Sequence, residues 1–210
     1  MSSKEATAST TTSIFKNKPN PRKKRLRRLM VFLVVAIWLA INIGIQASNT
    51  ITPIDGESWR VTRVISGQTI EAIDSNDPDE LIQRVRLLGI SAPLREQAPW
   101  GDRARKRLEE LIKDQKVLLE FDQQRKDNYD RVLAYVWLGD QLINAQLVRE
   151  GLVLANSWQP NQRHDDLMSR LQAEARLKGI GIWNPTEPMR QTPEKFRRDL
   201  NYSVSVPISN

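Results

Sequence analysis

The stretch WRVTRVISGQTIEAI, residues 59–73, decides the fold. Apolar and polar residues alternate over 59–65 and again over 69–73, which is the period of a strand with one buried face. Between the two runs, Ser66 and Gly67 mark a tight turn, for which Gly67 would supply backbone angles that other residues resist. The sequence therefore predicts a β-hairpin at the start of a folded domain.

Further strands and helices follow this hairpin at regular intervals. Strands are expected at 83–90, 115–122 and 131–138. Apolar residues at helical spacing predict helices at 100–114, 142–152 and 165–179. Five short strands with a helix after the third are typical of a small barrel capped by helices. We therefore predict an α+β fold built on a five-stranded oligonucleotide-binding (OB-fold) β-barrel, with a β-sandwich as the alternative.

The charge of the chain is divided unevenly between its N-terminal tail and the remainder. The 210 residues carry a net charge of +7. Residues 1–28 hold nine of the 32 basic residues and a single acid, Glu5, whereas the other 182 residues hold 23 bases and 24 acids. The basic character therefore belongs to the tail and gives no support for nucleic-acid binding by the folded part.

The side-chain types that are missing limit the possible chemistry. The chain has no cysteine and one histidine, His164, which we expect at the surface beside a helix start. Disulfides, thiolate nucleophiles and cysteine-type zinc sites are therefore excluded. Any catalysis would have to rest on carboxylates, arginines and hydroxyls.

An apolar run near the N-terminus predicts a membrane anchor. Residues 29–47, LMVFLVVAIWLAINIGIQA, contain no formal charge. As a helix this run would span roughly 28 Å, close to the ~30 Å of bilayer hydrocarbon. The preceding PRKKRLRR, 21–28, should stay in the cytoplasm, which places the folded domain on the extracytoplasmic side. The alternatives are a cleaved signal peptide and, for the basic run, a nuclear or nucleic-acid patch.

The predicted organisation has five segments. They are a disordered basic cytoplasmic tail (1–28), a transmembrane helix (29–47), a linker (48–58), the barrel domain (59–185) and a C-terminal extension (186–210). The tail is assigned as disordered because it is polar and has few apolar groups. The extension is expected to be partly ordered, and its basic patch of Lys195, Arg197 and Arg198 is a candidate for docking a partner.

Several motifs give the chain a resemblance to a known family. They are, in order, VISGQT, QRVRLLGISAP, KVLLEFD, DNYDRVLAYVWLGDQLINAQLVREGLVLA, QPN and AEARLKGIGIW. From about Trp59 to Trp183 the sequence resembles the staphylococcal nuclease (thermonuclease) family. The resemblance implies an OB-fold barrel and calcium-dependent hydrolysis of DNA and RNA. In that chemistry carboxylates hold the calcium ion, a glutamate accepts a proton from water, and two arginines bind the phosphate.

The resemblance also indicates that the catalytic carboxylates have been replaced. Gln68 and Ser91 stand where the family has its two metal-binding aspartates, and Leu94 stands in place of the glutamate base. Leucine can neither accept a proton nor bind an ion, and calcium affinity follows the charge of the ligands. We therefore expect no metal site, no cofactor and impaired catalysis.

Other family positions are retained. Arg86 and Arg131 match the phosphate clamp, and Tyr129 and Trp158 match substrate-binding aromatic positions. The residue before the second arginine, a glycine in the family, is Asp130, whose carboxylate would oppose phosphate binding and could pair with Arg131. The alternative is that the arginines form structural ion pairs with acids such as Asp127 or Asp130, and that the aromatic residues serve in packing.

Three functions are consistent with these motifs. The first is a membrane-tethered, catalytically silent nuclease-like domain that binds nucleic acid or another polyanion. The second is an active nuclease with an altered site, using Glu71, Glu96 or Asp74, or a different metal. The third is a protein-interaction scaffold, since a fold does not dictate its function.

Overall fold

A computed structural model describes residues 30–35, 38, 52–77 and 79–205, with side chains up to residue 200. The chain divides after Ile51 into two units. In the first unit, residues 30–35 and 38 are helical. No helix within the described residues is long and apolar enough to cross a membrane. The tail at 1–28 and most of the predicted span at 29–47 lie outside the described residues, so the anchor stays a prediction.

The second unit contains the strands and helices of the folded domain. The strands of its described residues are β1 Glu57–Ser66, β2 Thr69–Asp74, β3 Ile82–Leu87, β4 Ile90–Ser91, β5 Lys116–Glu120, β6 Val132–Leu138, β7 Gln141–Leu142 and β8 Leu154–Ala155. The helices are α1 Trp100–Ile112, α2 Ile143–Arg149, α3 Asp165–Lys178 and α4 Pro193–Ser205, with a 3-10 turn at Gly181–Trp183.

The sheet closes into a five-stranded barrel. Neighbouring strands follow the order β3-β2-β1-β5-β6, and β3 also pairs with β6 in parallel, which closes the ring. Inward-facing residues such as Ile70, Val85 and Leu119 are fully buried. Helix α1 covers the barrel with one face, on which Ala104, Leu108 and Ile112, spaced four residues apart, are also fully buried. The predicted barrel capped by helices is confirmed, and the sandwich alternative is wrong.

The first hairpin forms as predicted, but the reason for its glycine is different. Ser66 pairs with Thr69 across the turn. Gly67 is not among the glycines with positive φ. A Cβ at this position would lie 2.6 Å from the Cβ of Ala104 and 3.0 Å from that of Ala92. Gly67 is therefore required for the close approach of helix α1, and the prediction from backbone angles was wrong.

The strand predicted at 83–90 is interrupted. Strand β3 ends at Leu87, and Gly89 turns the chain with φ +72° before β4 begins. The buried side chain of Asn144 holds this turn by donating to the carbonyl of Leu88 at 2.8 Å. Strand β4 then pairs with β8, which places Ser91 opposite Leu154. The break brings the segment after β4 beside the first hairpin.

The C-terminal extension carries a helix that the sequence pattern did not predict. The preceding segment is tied to the barrel, because the buried side chain of Gln97 donates from Nε2 to the carbonyl of Gln191 at 2.9 Å. Thr192 accepts a hydrogen bond from the backbone N–H of Lys195 at 3.3 Å. Pro193 is the first residue of α4 and is buried. Thr192 and Pro193 together form a typical helix start.

Candidate functional site

Arg86 is a buried cation that pairs with no carboxylate in the part of the chain that the structure describes. It lies near the end of β3 and is 5% exposed. Its guanidinium donates to the carbonyl of Leu87 and, at 2.7 Å, to that of Ile90. A guanidinium has five N–H donors, so these two contacts leave others available. Among the described residues, no carboxylate lies within ion-pair distance of Arg86.

The electrostatic surroundings of Arg86 are unfavourable to its charge. Burial, together with the positive charges of Arg131 and Arg197, lowers the pKa of Arg86 to about 9, while Asp127 acts weakly in the opposite direction. Arg86 is still cationic at neutral pH. Because a buried charge without a counter-ion is costly, this position is suited to an incoming anion.

Arg131 differs from Arg86 because it has a protein partner. Its Nε and Nη2 atoms lie 2.7 and 2.6 Å from Oδ2 of Asp127. Oδ1 of Asp127 accepts the backbone N–H groups of Tyr129 and Arg131 at 2.9 and 3.0 Å. Burial alone would raise the pKa of Asp127, but the hydrogen bonds from Arg131 outweigh burial and hold that pKa below its usual value. The structural ion pair considered for this arginine is therefore present.

Asp130 does not pair with Arg131. Its carboxylate contacts Nζ of Lys126 at 2.8 Å instead. Its φ is +57°, in the left-handed region that favours glycine. This backbone conformation gives a physical reason for glycine at the corresponding position of the family.

An aromatic ring lies near each arginine. The ring centroid of Trp158 is 5.9 Å from Cζ of Arg86, and that of Tyr129 is 5.4 Å from Cζ of Arg131. Trp158 is half-buried, whereas Tyr129 is 81% exposed. The packing alternative therefore does not fit Tyr129, whose ring is open to a ligand. Two arginine–ring pairs are therefore present, Arg86 with Trp158 and Arg131 with Tyr129, and the charge of Arg131 is close enough to affect Arg86.

The three replaced positions are occupied by groups that do not fit calcium. Oε1 of Gln68 accepts the backbone N–H of Ala92 at 2.6 Å, and this bond joins the first hairpin to the segment after β4. Ser91 is buried, and Leu94 is half-buried. In the described part of the chain, no group of three or more acidic, histidine or cysteine side chains could hold a metal ion. The hydrogen-bonded amide of Gln68 and the hydroxyl of Ser91 are poor substitutes for two carboxylates, since calcium affinity depends on ligand charge.

The acidic residues that were considered as substitutes for the catalytic carboxylates make other contacts or are exposed. Glu71 binds Nε and Nη2 of Arg63 at 2.7 and 2.9 Å. Asp74 accepts the backbone N–H of Asn76 at 2.9 Å in the following turn. Glu96 is exposed on the loop before α1. Glu71 and Asp74 are therefore used in the barrel's own contacts.

Sequence reasoning missed the contribution of α4 to this region. A cleft of about 180 Å³ has Ser91 and Leu154–Asn156 on one side and Thr192, Pro193 and Glu194 on the other. Arg197, one turn further along α4, is close enough to affect Arg86 electrostatically. Proline followed by an acid after a threonine is a helix-start signal that could have located α4. Its docking against the barrel has no local signal.

Comparisons with known proteins agree with this architecture. Residues 84–185 match the model of a family described as staphylococcal nuclease homologue. A thermonuclease of Staphylococcus intermedius is 39% identical over 160 residues, which cover 74% of this chain and 93% of that protein. Protein ParB of Escherichia coli is 34% identical over 184 residues, 83% of this chain and 96% of that protein. An uncharacterized endonuclease of Haemophilus influenzae is 29% identical over 183 residues, 85% and 93% of the two chains. Helix α4 lies beyond the residues that match the family model.

Proposed function

The chain belongs to the staphylococcal nuclease family, as its motifs predicted, and on this premise we propose that the barrel domain binds nucleic-acid phosphates but hydrolyses them slowly or not at all. The observation that carries the proposal is Arg86, a buried cation with no carboxylate in contact among the described residues. The related nucleases supply the class of ligand. The replacement of the catalytic carboxylates is the reason to expect slow hydrolysis.

Binding is supported by the arrangement of the two arginines. Arg86 has unused donors beside the aromatic ring of Trp158, and Arg131 is held in a fixed position by Asp127. Guanidinium groups with fixed geometry match pairs of phosphate oxygens. Exposed Tyr129 and half-buried Trp158 offer faces on which bases of a single strand could stack. The net charge of the domain is close to zero, so the attraction has to be local.

Slow hydrolysis follows from the groups at positions 68, 91 and 94. The absence of a general base alone costs about 10²–10⁴ in rate. Gln68 is hydrogen-bonded to Ala92, so its oxygen supports the fold. The chain therefore has no residue in these positions that would accept a proton from water or neutralise a divalent cation.

The binding test measures a labelled single-stranded oligonucleotide by fluorescence anisotropy with the full-length chain over a range of salt concentrations. Arg131→Ala should weaken binding about 10-fold. It should also reduce the slope of log affinity against log salt concentration by about 0.7, the value for one lost phosphate contact to a single strand. The matched control is Arg84→Ala, which removes the same charge from β3, where the side chain is 66% exposed. Equal effects of the two substitutions would contradict a local phosphate site.

The hydrolysis test restores the family's carboxylates. The triple variant Gln68→Asp, Ser91→Asp, Leu94→Glu is compared with the unmodified chain in a DNA digestion assay with and without calcium. We expect calcium-stimulated digestion only in the triple variant, with calcium binding followed by tryptophan fluorescence. Rapid calcium-dependent digestion by the unmodified chain would show that the second function, an altered but active nuclease, is correct.

We also propose that residues 29–47 form a single membrane span, with the N-terminus in the cytoplasm and the barrel domain on the other side. The support is the uncharged run of 19 residues and the basic cluster before it. The absence of cysteine makes a direct test possible. Thr7→Cys and Thr52→Cys, introduced singly, should differ in labelling of intact cells by an impermeant maleimide, with only the second position labelled.

A further inference from the structure

We propose that helix α4 completes the anion-binding site and that Arg197 supplies a third guanidinium contact to the nucleic-acid backbone. The inference rests on the proposed function, because it adds a residue to the same site. It concerns a part of the chain beyond the family match at 84–185.

The position of α4 is set by contacts before its first turn. Gln97 is 7% exposed and links two segments, since its Oε1 accepts the backbone N–H of Leu94 at 3.0 Å while its Nε2 donates to the carbonyl of Gln191. Pro193 is buried and lines a cleft together with Ser91 and Leu154. The start of α4 is therefore attached to the loop that follows β4.

This attachment places α4 next to Arg86. Ile90, whose carbonyl receives Nη2 of Arg86 at 2.7 Å, directly precedes Ser91. Ser91 lines the cleft whose other side is formed by Thr192, Pro193 and Glu194. The cleft between α4 and β4 thus adjoins the buried guanidinium.

Helical geometry orients Arg197 toward the same region. At about 100° per residue, Arg197 falls between Pro193 and Glu194 around the helix axis, one turn further on. Both of those residues line the cleft. Lys195 lies about 160° from both Pro193 and Arg197 round the helix, on the side away from the cleft. The charge of Arg197 contributes to the lowered pKa of Arg86, which agrees with this placement.

The resulting region holds three guanidinium groups and two carboxylates, those of Asp127 and Glu194, so one positive charge remains in excess. Asp127 is already bound to Arg131. Arg197 is exposed, and no salt bridge to it is found among the described residues. An excess of fixed positive charge around a cleft attracts a polyanion, and each phosphate contact adds to the salt dependence of binding.

The test compares two basic residues on opposite sides of one helix. A fluorescein-labelled dT12 oligonucleotide is titrated with the full-length chain at several salt concentrations. Arg197→Ala should weaken binding about 5- to 10-fold and lower the slope of log affinity against log salt concentration by about 0.7. Lys195→Ala, with the same loss of charge, should change affinity less than about 2-fold. Arg197→Lys should keep most of the slope, because the charge remains.

A second variant tests whether docking of α4 is required. Gln97→Ala removes the side-chain link to Gln191. In this background, Arg197→Ala should have a much smaller effect than in the unmodified chain, and circular dichroism should show that the variants remain folded. Equal effects in the two backgrounds would overturn the role assigned to docking.

The possible failures are distinguishable. If Arg197→Ala and Lys195→Ala are equivalent while Arg131→Ala weakens binding, the third contact is overturned and the proposed function stands. If Arg131→Ala also has no effect, both are overturned. Tighter binding by Arg197→Ala would overturn the inference and show that α4 obstructs the site.

Discussion

Replacing Glu120 with glutamine should remove a large part of the domain's stability at neutral pH. Glu120 ends β5 and its side chain is completely buried. It accepts hydrogen bonds from Nε1 of Trp137 at 2.7 Å, Nη1 of Arg163 at 3.0 Å and Nε2 of His164 at 3.0 Å. The expectation of a surface position for His164 was wrong, because its side chain is only 11% exposed.

The size of the effect follows from the pKa of Glu120. Burial alone would raise it, but the hydrogen bonds from His164, Arg163 and Trp137 outweigh burial and hold the pKa at about 2 instead of 4.5. At about 1.4 kcal/mol per unit, this difference corresponds to about 3 kcal/mol of folding free energy. Since the folded pKa is the lower one, the stabilisation is complete above about pH 4.5 and is lost as pH falls toward 2.

The assay is urea unfolding of the full-length chain, followed by tryptophan fluorescence at pH 7, 5 and 3.5. Glu120→Gln should lower the free energy of unfolding by about 3 kcal/mol at pH 7 and weaken its dependence on pH below 5. A glutamine also directs its own N–H groups at some of the donors around it. Glu80→Gln is the control, since that side chain is 70% exposed and 3.6 Å from Arg60.

The same network has a consequence for the candidate site. Arg163 and His164 end the loop between β8 and α3, and this loop carries Trp158. Glu120→Gln should therefore also weaken oligonucleotide binding. A loss of less than about 1 kcal/mol at pH 7, or a pH dependence equal to that of the unmodified chain, would refute the assignment of a charged, fully bonded Glu120.

Three further predictions concern the segments that shape the site. Gly67→Ala should cost about 2 kcal/mol by urea unfolding, because its Cβ would lie 2.6 Å from that of Ala104; Ala104→Gly in the same chain should recover part of the loss, and no recovery would contradict the steric cause. Asp130→Gly should stabilise the chain by up to about 1 kcal/mol, because φ is +57° there, and a destabilised variant would argue against strain. Asp127→Asn should lower the free energy of unfolding by about 1–2 kcal/mol at pH 7 and by less in acid, since the pKa of Asp127 lies below its usual value; an equal loss at pH 2 and pH 7 would exclude the ion pair as the cause.

Local patterns in the sequence located most of the barrel. The strand expected at 69–73 is β2 at Thr69–Asp74, and the helix expected at 165–179 is α3 at Asp165–Lys178. Alternation and helical spacing report which face of an element is buried, so they also place its ends. They failed at 83–90, where the uninterrupted LLGI at 87–90 conceals the turn at Gly89.

The candidate site was only partly accessible to the same reasoning. The family motifs identified Arg86 and Arg131, and they showed that positions 68, 91 and 94 lack carboxylates. They did not reveal that Arg131 is paired with Asp127 while Arg86 has no such partner within the described ranges. They also gave no indication that α4 lies beside the cleft.

The sequence by itself determined the family, the order of the five barrel strands and helices α1 to α3, and the set of chemical groups available for catalysis. Only the tertiary structure decided which of those groups lose contact with water and which meet a partner of opposite charge. Periodicity and composition are properties of neighbouring residues, whereas desolvation and Coulomb interactions depend on distances in space. Gln97 and Gln191 are 94 residues apart in the sequence but are joined by a hydrogen bond, and no local pattern encodes that contact.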